Sequence, residues 1–294
     1  MKTKTRKNWQ DIIAGYTFIL PNFTGFLVFT SIPVIASLVL AFLSWDILTP
    51  AKFVGFNNFI TLFKDKDFWY YLYNTVFFML GIPLSMAFSL FLAILVNQKL
   101  KGITIFRTIF FLPVISSMVA IALVWRWIYN PDFGLLNSFL RYFLKQQPQW
   151  LSSTLWAKPA LMFMGIWNGA GYSMLLYLAA LQSIPEDLYE AARIDGASAW
   201  QQFRKITWPM LSFVNFFVIV MGVIGGFQAF GVQYVMTGGG PAGSTTTVVY
   251  YVYNNAFQWF KMGYASSIAW VLFIFIFGFT LLQWKYGKKA GEYY

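Results

Sequence analysis

Four of the chain's ten acidic residues, Glu186, Asp187, Glu190 and Asp195, fall within ten consecutive positions. Clustered carboxylates can hold a metal, exchange protons or face a basic partner. The 294 residues include no His and no Cys. That removes imidazole bases, thiol nucleophiles, disulfides and the usual zinc or haem ligands together. No G-x-x-x-x-G-K-[ST] occurs, so the chain carries no P-loop of its own. The helical setting of the four carboxylates fits docking better than catalysis, and we expect no enzymatic activity. They belong to a polar stretch, residues 186–206, between two long apolar segments.

The local grammar of that stretch is helix, sharp turn, helix. Ser183 and Glu186 have the S-x-x-E spacing of a capping box, with Pro185 at the first turn. The helix they open is predicted to run to about Asp195, where Gly196 can adopt the left-handed conformation that ends helices. Ser198 and Gln201 repeat the capping spacing and open a second short helix. Pro209 limits its regular continuation. Ala191 and Ala192 keep one side thin enough for another backbone to approach.

The elements that position this knob are apolar. Hydrophobic residues make up 59% of the chain and charged ones 11%, with a mean hydropathy of +0.59. A soluble domain carries about 25% charged residues, so the composition places the chain in a lipid bilayer. The net charge of +11 belongs to residues flanking apolar runs, which suits orientation in a membrane rather than nucleic-acid binding. The sequence predicts an all-α, polytopic fold of one domain, with six spans near 12–45, 70–97, 108–129, 159–183, 207–234 and 262–284. The first is too long for a signal peptide and lacks a small-residue cleavage site; Pro21 and Pro33 are expected to bend it. Leu135, Leu136, Phe139, Leu140 and Phe143 have the spacing of a short helix along the membrane face. The turn Thr237 to Pro241 (TGGGP) and the Ser-Thr run after it read as an external loop.

Six spans put both termini on one side. With that side in the cytoplasm, 13 of the 21 Lys and Arg lie inside and 8 outside. Arg126, Arg141, Lys145 and Lys158 weaken this asymmetry. The spans carry essentially no ionisable residue at mid-depth. Ion-coupled carriers and voltage sensors commonly place charges there, so energy for uphill transport would enter through a cytoplasmic partner.

Residues 190–211 (EAARIDGASAWQQFRKITWPML) resemble the EAA motif of permease subunits of ABC importers. Glu190, Ala191, Ala192, Asp195, Gly196, Ala197, Ile206 and Pro209 carry the match, with Arg193 inside it. Phe53–Phe59 (FVGFNNF), the segment 112–117 (LPVISS), Gly171–Pro185 and Tyr234–Pro241 resemble the carbohydrate-uptake type. The resemblance implies a type I importer permease fold in a bacterial or archaeal plasma membrane. It implies a heterodimer with a second permease, two copies of an ATPase that binds ATP and Mg, and an extracytoplasmic solute-binding protein. It also implies that residues 186–206 couple to the ATPase. Matching through the surrounding motifs puts Val114, Met118, Gly165, Asn168, Gly169, Gly222 and Gly226 along the substrate path. Nearby Trp167, Tyr172, Gln228 and Gln233 are polar or aromatic candidates for contact with a sugar. Alternatives are a permease for glycerol phosphate or another polyol, and a secondary carrier.

Overall fold

A computed structural model describes residues 9–98 and 100–287. Lys2, Lys4, Arg6, Lys7, Lys99, Lys288 and Lys289, which contribute to the charge asymmetry, lie outside the described residues. The chain divides into two compact units, residues 1–64 with 254–270 and residues 65–253 with 271–294.

In the first unit, α1 (Trp9–Phe26) passes through a π turn (Leu27–Ser31) into α2 (Ile32–Leu40). Residues 12–40 form one apolar helix of 29 residues with no buried side chain in its most apolar stretch, about 43 Å long at 1.5 Å per residue. The π turn ends two residues before Pro33, which has no N–H to continue the regular ladder. The helix stops at Leu40, short of the expected Trp45, because β1 (Leu43–Ser44) pairs antiparallel with β2 (Lys52–Phe53). The Asn58 side chain donates to the carbonyls of Ala41 and Leu43, both at 2.9 Å. Phe42, Phe56 and Phe59 cluster with ring centroids 5.2–5.9 Å apart. The FVGFNNF segment is thus the stop of the first span, and it leads into α3 (Asn57–Lys64).

The second unit opens with α4 (Lys66–Met79) and α5 (Gly81–Val96), collinear enough to form one apolar helix of 31 residues. Asp65 caps it by accepting from the Asp67 N–H at 2.9 Å. The segment expected as a single third span is two helices, α6 (Ile103–Ile115) and α7 (Met118–Ile128), meeting at 101°. Pro113 removes a ladder hydrogen bond just before the break, and Ser116 is extended. The expected surface helix is α8 (Leu135–Leu140). Its buried Asn137 donates to the Pro131 and Pro148 carbonyls and accepts from the Trp150 indole at 2.7 Å. Two cations of this region have local partners: Arg141 donates to the Asp132 carbonyl, and the ammonium of Lys158, in the first turn of the next helix, lies 4.8–4.9 Å from the Tyr73 and Phe77 ring centres.

The long α9 (Ala157–Ser183) packs along α5. Leu92, Ala93, Val96, Met174, Tyr177 and Leu178 are buried between them. Then follow α10 (Glu186–Ile194), α11 (Ala199–Gln202), a π turn (Phe203–Thr207), α12 (Trp208–Met210) and α13 (Ser212–Phe227). The chain bends by 64° between α12 and α13. After a break comes α14 (Gly231–Thr237), then the TGGGP turn and α15 (Val248–Tyr253). Residues 254–270 belong to the first unit, and α16 (Met262–Gly287) begins among them. Residues 244–247 are buried rather than forming a free loop. Asn74 of α4 donates to the Gly243 and Thr246 carbonyls at 2.9 and 3.0 Å, and Thr237 and Thr245 share a 2.6 Å hydroxyl contact. Among the described residues, three helices are long and apolar enough to cross a membrane, or five if each bent pair is one span. At 27 residues α9 is long enough as well, about 40 Å, but its glycines and amides make it less apolar.

Candidate coupling hairpin and substrate cavity

The polar stretch folds as a hairpin of two short helices. Its first cap differs from expectation. Ile184 is extended, and Ser183 turns its hydroxyl back to the Ala180 carbonyl at 2.7 Å, leaving Pro185 as a cap without a side-chain bond. Glu186 and Asp187 lie in the first turn, where the helix dipole favours negative charge. The C-terminal end follows the sequence closely. Gly196 has φ +75°. Its N–H donates to the Arg193 carbonyl at 3.1 Å, and the Ala197 N–H donates to the Ala192 carbonyl at 2.8 Å. This pair is a Schellman closure. Ser198 and Gln201 form the expected reciprocal capping box at 3.3 and 2.7 Å. The Gln202 amide donates to the Ala197 carbonyl at 2.9 Å and closes the turn.

One face of the hairpin is anchored. The Tyr189 and Thr207 hydroxyls are 2.8 Å apart, and Tyr189, Phe203 and Ile206 pack on Leu181, Ile184 and Leu211. The opposite face is open. Glu190, Ala191, Arg193, Asp195 and Gly196 are exposed, and Ala192 and Ala197 are half-buried. Between them Ile194 is 86% exposed and Trp200 67%. Among the described residues no group of His, Cys, Asp or Glu could hold a metal. The arrangement offers a stiff, thin, mixed apolar and charged surface, which suits docking.

The substrate-path residues do not all converge. Met118, Gly165 and Gly226 line one cavity of about 340 Å³, together with Phe78, Ser85, Phe230 and Gln233. It meets the middle of the α4–α5 helix. Trp167 lies outside it, edge-on to Trp125 at 5.4 Å. Asn168 is half-buried with its Oδ1 unpartnered, and Gly169 faces open space. Tyr172 is half-exposed, Gln228 is exposed at the end of α13, and Gly222 packs on Ile82, where a Cβ would stand 3.1 Å from its side chain. Ser85 escaped sequence reading because it sits in an unbroken apolar run. Gln233 is only 5% exposed, and its Oε1 has no protein partner, a state that costs about 1–3 kcal/mol. A larger groove of about 800 Å³, beside Leu90, Trp200, Trp208 and Val223, is almost wholly apolar. Its polar members Tyr177 and Asn215 satisfy each other at 2.9 Å, so it suits a polar substrate poorly.

Residues 70–284 match the family model described as "Binding-protein-dependent transport system inner membrane component". The chain belongs to this family. It is therefore a membrane transport permease and not an enzyme. A probable ABC transporter permease protein, YesP, of Bacillus subtilis is 40% identical over 96% of this chain and 93% of its own length. The lactose transport system permease protein LacF of Rhizobium radiobacter is 35% identical over 96% of both chains. A bacterial ABC transporter involved in the import of alginate has a chain that superposes with a TM-score of 0.83 at 24% identity, covering 96% of this chain and 98% of that one. That likeness establishes the type I importer permease fold. Within the permease the hairpin and cavity are separate sites, one exposed at the end of α9 and the other an open hollow lined by α4, α5, α7, α9, α13 and α14.

Proposed function

We propose that the chain is one of two permeases of an ATP-driven importer for a neutral sugar or oligosaccharide. The observation that carries this reading is the hairpin, a pre-closed turn with one face anchored in the core and the other face open. Its outer face, Glu190 to Ala197, receives one of two copies of a cytoplasmic ATPase. The ATP and Mg are held by that partner. Both termini are cytoplasmic, and an extracytoplasmic binding protein delivers the sugar. The six spans are 12–40, 66–96, the two bent pairs, α9 and 262–285.

Closure of the ATPases moves the hairpin as one body, since the Tyr189–Thr207 contact and the Schellman turn join its two helices. The bend before α13 passes that motion to the helix that carries Gly226 into the cavity wall. The cavity lining includes no Asp, Glu, Lys or Arg. An anion there would find no counter-charge in that lining, so an uncharged polyol or sugar fits better than glycerol phosphate.

Right-side-out membrane vesicles provide the test. Uptake of a labelled disaccharide such as lactose or maltose is expected only with ATP inside and the binding protein outside. Uptake driven by a proton or sodium gradient without ATP would overturn the reading.

A further inference from the structure

We infer that Gln233 is a specificity-determining hydrogen-bond acceptor for a hydroxyl of the transported sugar. This rests on the importer reading and adds to it the residue that reads the cargo. The residue belongs to the lining of the 340 Å³ cavity, its side chain is more than nine-tenths buried, and its Oε1 is covered and unpartnered. Its backbone carbonyl is already satisfied by the Gly239 N–H and the Thr237 hydroxyl, at 3.3 and 2.9 Å. Those two bonds fix the end of α14, so the free oxygen is a property of a well-held element. Buried amide oxygens ordinarily have partners, and one left unpaired on a residue of the cavity wall is a place for a donor that a turn of the side chain brings within reach.

The surroundings define that donor. Ser85 supplies one hydroxyl, and Phe78 and Phe230 supply aromatic surface, against which sugar C–H faces pack. No ionisable side chain lines the space. The volume is at the small end of ligand cavities, which run from roughly 300 to 1,000 Å³. It suits a single pyranose ring, so a longer saccharide would pass ring by ring. A site built to pair a hydroxyl rejects the analogue that lacks it, because the acceptor is left buried and unpaired.

The complete transporter, purified from its own membrane with its partner subunits and reconstituted with its binding protein, is assayed for ATP-dependent uptake. The probes are labelled mono- and disaccharides together with sn-glycerol 3-phosphate. The sugar transported best is then compared with each of its monodeoxy analogues as a ratio of Vmax/KM. The wild type is expected to discriminate about tenfold or more against one analogue. Gln233→Met should bring that ratio to about two or less, while Gln233→Glu, which keeps an acceptor oxygen, should stay within about threefold of the wild type. The ratio does not depend on how much of each variant folds, and the binding protein's own preference is common to all variants. An unchanged ratio in Gln233→Met overturns the role of Gln233 and leaves the importer reading standing. Transport of glycerol phosphate alone, or of no sugar, sinks the sugar reading and this inference with it.

Discussion

Gly196 is the position where the hairpin is most sensitive to one atom. Its φ of +75° is left-handed, and a Cβ built on it would meet nothing within 4 Å. Substitution therefore adds no clash, and its whole cost is backbone strain. For an ordinary L residue that strain is about 1–2 kcal/mol, and a β-branched residue lies above that range. The turn is held by two hydrogen bonds, Gly196 to Arg193 and Ala197 to Ala192, worth about 1 kcal/mol each. Valine thus outweighs the closure and opens it. Alanine comes close to balancing it, and asparagine, which tolerates the left-handed region, leaves it shut. The anchoring core under Tyr189 and Phe203 is untouched, so the protein still folds. A strain of about 2 kcal/mol shifts the closed population roughly 30-fold. Uptake by the reconstituted transporter is expected to rank Gly and Asn together, then Ala, then Val, at constant yield and constant thermal stability. Wild-type uptake by Gly196→Val would refute the hairpin mechanism. Loss of yield in all three variants would instead show that the turn serves folding.

Two further substitutions test the packing that holds the sites. At Gly171 a Cβ would overlap the Phe110 carbonyl oxygen of α6, so Gly171→Ala should cost about 1–3 kcal/mol. Gly165→Ala, which faces open space, should be neutral or stabilising by up to about 1 kcal/mol; thermal unfolding in detergent separates them, and equal melting temperatures would contradict the helix crossing. Asn74→Ala removes two bonds to the buried 243–246 segment and should destabilise by about 2–4 kcal/mol. Proteolysis within residues 237–247 should rise with it, and an unaltered cleavage pattern would count against that loop being folded onto α4.

The hairpin was the most legible part of the sequence because its grammar is local. Gly196 and the Ser198–Gln201 pair each act within five residues, and both do what their types dictate. Ser183 has the same spacing to Glu186 and yet fails as a cap, since the extended Ile184 turns its hydroxyl toward the preceding helix. The end of the first span was not legible: Leu40 is its last residue because Asn58 reaches back 15 and 17 positions. The third span was expected to be continuous, and its 101° break after Pro113 was not legible. The polarity of residues 237–247 suggested water, whereas the hydroxyls of Thr237, Thr245, Thr246 and Thr247 are satisfied by carbonyls of the same unit. The cavity was half legible. Matching chain segments found Met118, Gly165 and Gly226, but Ser85 joins them only through the fold of α5 against α9.

The central claim is that Glu190 and its neighbours dock an ATPase. The most direct measurement is affinity purification of the chain from its native membrane in mild detergent, with the co-purifying proteins identified. A second polytopic permease and a P-loop ATPase should accompany the wild type. Glu190→Lys, at an exposed position where charge reversal costs the fold little, should keep the permease and lose the ATPase. Recovery of a lone chain without an ATPase, or undiminished ATPase with Glu190→Lys, would contradict the account.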